Sequence, residues 1–322
     1  ILIAFQIAIS IVFASAQSWQ ETFDSGNKLL DGNDYSNAKP FFQKALNLAD
    51  NEGNKVHQAI ALSYFGYCTF MTRDTNGYST AKNALELAKS TNDAKAINET
   101  FQVLATIEFY WGLIDQSILN FDSALYYAKK INDANSIYNA ASSLGYLYYN
   151  YKSDYFKSLA YYEQVKPLFG SLNKLHTWER AYYAEVLNWT GKLDEAVSVF
   201  SEIIASNTPD KDLLAFSLFK EGHIYNNMNV PEKALSNMQR ALSIYQELNN
   251  ESEIAHCWWG LGNAYQMLSQ YQKSIDSYKE ALKFYEKLGG HLARKGFSYD
   301  VIKSVSKTIW DQLQIEQSTD DK

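Results

Sequence analysis

The chain has 322 residues and a formal net charge of −7 with no long run of like charge, so it lacks the basic stripe of a nucleic-acid reader. Hydrophobic residues make up 46% of it, enough to build a substantial core, which excludes a wholly disordered chain. With only 4 Pro and 2 Cys in the chain, long helices without a disulfide framework are the natural reading.

Residues 1–16, ILIAFQIAISIVFASA, are apolar and uncharged and end in Ala14-Ser15-Ala16, the small-x-small pattern that a signal peptidase cuts. They are expected to be an N-terminally incomplete signal peptide, because neither an initiator Met nor a basic n-region precedes them. A membrane anchor needs ~20 apolar residues, and Gln17-Ser18-Trp19-Gln20 cuts the run short. A retained anchor and a buried first helix are the alternatives. No Cys follows directly, which argues against a lipoprotein. The mature chain is therefore expected to start near Gln17 and to be exported: periplasmic, cell-surface or secreted.

Beyond this segment the chain repeats. Small residues recur at Gly26, Gly66, Ala105, Gly145, Ala184, Gly222 and Gly262, at spacings of 40, 39, 40, 39, 38 and 40. A second small residue follows twelve positions on at Ala38, Ser117, Ala196, Ala234 and Ser274, and later at Ala81 and Ser158. Four residues further lies a large side chain (Phe42, Leu85, Phe121, Tyr162, Phe200, Met238, Tyr278), and three beyond that Ala45, Ala88, Ala124, Val165, Ile203, Ala241 or Ala281. Steps of four and three put these on one face of a helix. Two antiparallel helices can approach closely where both present small residues, with the large one filling the gap towards the next pair. Asn-rich turns such as Ile131-Asn132-Asp133 and Leu248-Asn249-Asn250 separate the units and can satisfy backbone groups locally.

Residues 254–288, IAHCWWGLGNAYQMLSQYQKSIDSYKEALKFYEKL, and 222–242, GHIYNNMNVPEKALSNMQRAL, carry a specific resemblance to the tetratricopeptide repeat. The resemblance covers about residues 19–288. It implies an all-α, right-handed superhelical solenoid of seven antiparallel helix pairs over residues 17–290. The roughly 40-residue period is longer than the usual 34 and is similar to the repeats of kinesin light chains, spindle adaptors and bacterial peptide receptors.

Some segments depart from the pattern. The second copy has an inserted turn, Arg73-Asp74-Thr75-Asn76-Gly77, Pro167 should end or kink the fourth copy's second helix, and Pro40 is similarly awkward in the first. Gly289-Gly290 is expected to break the last repeat helix. Residues 291–315, with Phe297, Val301, Val305 and Ile309 at intervals of four, then read as a capping helix. Residues 316–322 read as a disordered tail. Lys273 to Lys287 interleaves with Asp276, Glu280 and Glu286, a solvated helix face.

The resemblance also implies which side chains line the concave face. In the first half these are Tyr67, Phe70, Phe109, Tyr110, Tyr146, Tyr149 and Asn150. In the second they are Trp178, Trp189, Phe219, His223, Asn226, Trp259 and Asn263. Aromatic rings offer area at low entropic cost, and Asn amides can pair with both N–H and C=O of an extended peptide. Many of these rings could equally pack between helices. The face has almost no Lys or Arg, so it lacks the carboxylate clamp of chaperone-binding members, and a neutral or basic segment fits better than an acidic one.

No His-x-x-x-His or Cys-x-x-Cys pair, Gly-rich phosphate loop or Gly-x-Ser-x-Gly elbow occurs. Neither catalysis, nor a metal, nor a cofactor is expected. His223 and His256 could approach across neighbouring repeats, a coincidence rather than a zinc site. Cys68 and Cys257 should be free and buried. Asn98-Glu99-Thr100, Asn188-Trp189-Thr190 and Asn250-Glu251-Ser252 are glycosylation acceptors only in a eukaryotic host.

The leading expectation is an exported scaffold that binds a peptide or protein segment in its concave groove, with neither nucleic acid nor membrane as partner beyond the signal segment. The alternatives are the sensory input region of a larger signalling protein and an architectural part of a surface or secretion assembly.

Overall fold

The structure is a computed structural model that describes residues 18–172, 177–206 and 208–294, with the backbone alone at 285, 286 and 288–294. The expected signal segment, the capping helix beyond residue 294 and the tail lie outside the described residues. Every described element is an α-helix. The chain divides into two compact units, Ile1–Asn173 and Lys174–Lys322.

The first unit stacks four antiparallel pairs: α1 (Trp19–Asp31) with α2 (Tyr35–Glu52), α3 (Lys55–Met71) with α4 (Asn76–Thr91), α5 (Ala94–Tyr110) with α6 (Ile114–Ile131), and α7 (Ala134–Asn150) with α8 (Tyr155–Val165). A single turn, α9 (Leu168–Ser171), follows. The second unit stacks three: α10 (Trp178–Trp189) with α11 (Leu193–Ala205), α12 (Lys211–Asn227) with α13 (Pro231–Glu247), and α14 (Glu251–Met267) with α15 (Tyr271–Arg294). Each unit is thus a segment of α-solenoid in which every pair buries its apolar stripe against its neighbours.

The periodic residues do the packing. All seven anchors are buried, as are all seven small residues of the second helices. Where the latter are serines they also bond across the pair: Ser117 Oγ donates to the Ala105 carbonyl at 2.8 Å, Ser158 to Gly145 at 2.6 Å and Ser274 to Gly262 at 2.9 Å. These bonds satisfy buried hydroxyls that would otherwise cost about 1–3 kcal/mol.

The large residue lies over the anchor of its own pair, rather than only towards the next. A Cβ on Gly26 would meet the Phe42 ring at 2.8 Å and one on Gly145 the Tyr162 ring at 2.7 Å. Phe42, Tyr162 and Phe200 have no exposed surface, and burying such a side chain contributes roughly 1.5–3 kcal/mol.

Turns follow the same economy. Asn33, Asn92, Asn132, Asn229 and Asn249 all take positive φ, the left-handed conformation that closes a helix and that Asn tolerates best after Gly. Asp34, Asp93, Asp133, Asp154 and Asp210 accept backbone N–H bonds at helix starts, which is why acidic residues collect there.

Pro167 behaves as expected: α8 stops at Val165 and Pro167 starts the short α9. Pro40 stays inside an unbroken α2. Its ring and Ser36 four residues earlier are both exposed, so the carbonyl that loses its N–H donor is open to water. Gly289-Gly290 does not break the last helix. α15 continues through both glycines to Arg294, since a helix already packed along one side tolerates the ~1 kcal/mol that each Gly costs relative to Ala.

Cys68 and Cys257 are both buried and unbridged. Burial pushes the Cys68 thiol up to about 12, so it acts as a small apolar group rather than a nucleophile.

Candidate partner-binding site

In the first unit the first helices of successive pairs bring Tyr67, Tyr110 and Tyr146 to one place, and two residues from outside those helices join them. Tyr35, in the first turn of α2, meets Tyr67 edge-on with centroids 5.6 Å apart. Tyr151, just past α7, meets Tyr146 at 6.3 Å and Phe109 at 5.8 Å. Phe109 also contacts Tyr110 at 5.2 Å and Tyr146 at 6.0 Å. Tyr110 and Tyr151 remain 54% and 49% exposed, so this aromatic cluster is open to solvent rather than sealed as core.

The phenol groups sense one another. Burial, then the hydrogen bond that Tyr67 donates to the Tyr35 hydroxyl and the nearby phenols of Tyr35 and Tyr110, raise the Tyr67 phenol well above its usual value. Burial and then Tyr35 raise Tyr110. Burial, then Tyr151 and Tyr110, raise Tyr146. Tyr67, Tyr110 and Tyr146 are therefore held neutral, and with Tyr35 and Tyr151 they bring five hydroxyls from four consecutive pairs to one surface of donors and acceptors.

Phe70 belongs to an adjoining group, 5.5 Å from Trp111, which in turn lies 4.9 Å from Tyr78. Phe70–Trp111 and Phe109–Tyr151 are the same contact one repeat apart: a ring four residues past one anchor touches a ring six past the next. Tyr149 turns instead to Tyr155, at 6.0 Å. Asn150 is exposed and its amide donates to the Tyr146 carbonyl at 3.3 Å.

In the second unit the expected residues divide differently. Trp178 packs on Tyr182 and Phe216 and donates Nε1–H to Asp210 Oδ2 at 3.1 Å. Trp189 is 56% exposed at the end of α10. Phe219 faces His256 at 6.2 Å, while His223 is exposed beside Asn227.

Asn226 is buried and donates to the Gly260 carbonyl at 3.0 Å, and its Oδ1 finds no donor among the described residues. Asn263 accepts the Tyr278 hydroxyl at 2.5 Å, and Trp259 packs on the same Tyr278 at 5.2 Å. Both amides are thus at work inside the fold.

Glu108, Glu185 and Glu221 are buried. Glu108 accepts Tyr78 O–H at 3.2 Å and Asn120 N–H at 2.6 Å. Glu221 accepts from Ser201 and from Asn237, the latter at 2.6 Å. Glu185 holds Lys220 at 2.6 Å, and the Lys220 ammonium also sits over the Phe216 and Phe219 rings. One cation therefore does reach this group of rings, neutralised by its partner. Among the described residues no cluster of His, Cys, Asp and Glu could hold a metal, and no helix is long and apolar enough to cross a membrane.

Asn98 of the first sequon is buried with its amide donated to the Ala124 carbonyl at 2.7 Å, so it is closed to a glycan in the folded chain. Its neighbour Glu99 is raised from 4.5 to about 7, chiefly by burial and by Asp133 and Asp93 against the opposing pull of Lys95. A folded state that prefers the protonated acid is favoured below the unfolded value and loses that advantage as pH rises through about 7. Glu99→Gln is therefore expected to stabilise the chain by about 2 kcal/mol at pH 8 and by close to nothing at pH 4. Urea denaturation at the two pH values checks this, and equal gains at both would refute it.

Residues 214–287 match the tetratricopeptide repeat family. Among solved structures, the apo form of RapI superposes with a TM-score of 0.67 at 14% identity, covering 94% of this chain and 88% of that one. The C-terminal part of a TPR repeat-containing protein from Cytophaga hutchinsonii gives a TM-score of 0.52 at 14% identity, covering 81% and 95%. At such identities the likeness is one of fold. No curated protein is detectably similar in sequence.

Proposed function

We propose that this chain is a tetratricopeptide-repeat scaffold for protein–protein interaction, that it is exported, and that it holds a peptide or protein segment against its aromatic face. The observation that carries the reading is the tyrosine cluster of the first unit, whose rings come from four consecutive pairs and whose outer members are about half exposed. Side chains of this kind supply large contact area with little rotamer entropy to lose. The net charge of −7 favours a neutral or basic segment over an acidic one. Export rests on the apolar residues 1–16 and the Ala14-Ser15-Ala16 site.

The test is a panel of neutral, basic and acidic peptides titrated against the chain and against a Tyr110→Ala/Tyr151→Ala variant of unchanged helicity. Neutral or basic peptides are expected to bind and to lose at least ~10-fold in affinity on the variant. Preference for acidic peptides would overturn the charge reading, and binding unaffected by the variant would overturn the choice of face. Mass spectrometry of exported protein should find Gln17 at its N-terminus; retention of residues 1–16 would refute cleavage there.

A further inference from the structure

Resting on the reading of the tyrosine cluster as a binding surface, we infer that its ligand is a neutral proline-rich segment in the polyproline II conformation. Three observations lead there. The first is hydrogen-bond polarity. A proline-rich segment presents carbonyl acceptors and few N–H donors, so its complement is a surface of donors. The cluster supplies phenolic hydroxyls at Tyr110 and Tyr151, both about half exposed. The nearby amide acceptor Asn33 Oδ1 is already taken by Tyr35 O–H at 2.8 Å.

The second is period. Polyproline II turns every three residues and rises ~9.3 Å per turn, while packed helices lie ~8–10 Å apart. The ring contact Phe70–Trp111 recurs one repeat later as Phe109–Tyr151. A proline at every third position would thus meet an equivalent ring on each successive pair. The third is charge. The rings are neutral, and Lys152, next to Tyr151 in the chain, is paired with Asp115 at 2.5 Å, so the charge beside Tyr151 is already matched without an ionised ligand. Rings already locked edge-to-face and a ligand already stiff in its bound form both lower the entropy lost on binding.

Calorimetry with the full chain tests this, using an end-blocked peptide of repeated Pro-Pro-Ala triplets, a neutral proline-free peptide of equal length, and maltohexaose. The proline peptide is expected to bind at least ~10-fold tighter than the other two, which on the logarithmic affinity scale is one full decade. Tyr110→Phe and Tyr151→Phe, which keep the rings and the fold, should each weaken it by about 3- to 10-fold, the worth of one hydrogen bond. Equal binding of both peptides would overturn the proline preference while leaving the peptide-binding face intact. Tighter binding of maltohexaose would overturn it in favour of a carbohydrate. Binding of none of the three would overturn the inference and, with the wider peptide panel also silent, the reading of the face itself.

Discussion

Gly77→Ala is expected to destabilise the first unit by about 3 kcal/mol, at the upper end for overpacking a tight contact. The added Cβ would lie inside contact distance of the Gly66 carbonyl oxygen and the Phe70 amide nitrogen, and 2.8 Å from the Phe70 Cα. Every one of these atoms is backbone of α3, so no side chain can swing aside and the two helices must part. Gly66 reads the same contact from the other side, its own Cβ position lying 2.8 Å from the Gly77 carbonyl oxygen and 2.9 Å from the Ala81 nitrogen.

Gly260→Ala is the control. There the atoms in the way are Met238 Cε and Sδ at 2.6 and 2.8 Å, the far end of a flexible side chain, and the expected cost is about 1 kcal/mol. Urea midpoints for the two variants compare them directly, and similar losses would refute the backbone contact. Because Phe70 rides on α3 and touches Trp111 at 5.5 Å, Gly77→Ala should also change the near-ultraviolet circular dichroism of the aromatic face.

Gly77 shows where sequence reading stops short. It stands in what reads as an inserted turn, Arg73 to Gly77, yet α4 already starts at Asn76 and Gly77 is a packing residue of that helix. The seven pairs themselves were legible, because small residues at a spacing near 40 have few other uses and each proves buried. The aromatic face was half legible. Tyr67, Phe109, Tyr110 and Tyr146 occupy the helix positions the repeat implies, and they do come together.

Their companions Tyr35, Trp111 and Tyr151 sit in a second helix or just past a first one, where the repeat's register says nothing of them. Asn226 and Asn263 sit at implied positions but spend their amides on Gly260 and Tyr278. Buried carboxylates were invisible for another reason. A Glu in a helical pattern reads as a solvated residue, and only three-dimensional neighbours such as Asn120, Asn237 and Lys220 reveal that Glu108, Glu221 and Glu185 are inside.

The last of these gives the second large effect. Glu185 is buried, and Lys220 Nζ lies 2.6 Å from its Oε2 with the lysine side chain 26% exposed. Lys220→Met keeps the length and packing of the stem over Phe216 and Phe219 but removes the ammonium, leaving a carboxylate in a buried site without its counter-charge. The expected cost is about 3 kcal/mol. Glu185→Gln removes the other partner at lower cost, about 1 kcal/mol, because the lysine head can turn to water while its stem stays packed. The double variant should therefore be more stable than Lys220→Met alone, and the cycle of four proteins should give a coupling of about 2 kcal/mol. The coupling should vary little with added salt, since a pair shielded from solvent is poorly screened. If Lys220→Met costs the same with Gln at position 185 as with Glu, the lysine contributes through its seat on the two rings and the ion pair between α10 and α12 contributes nothing. A coupling that vanishes by moderate salt would place the pair in water instead of inside the helix stack.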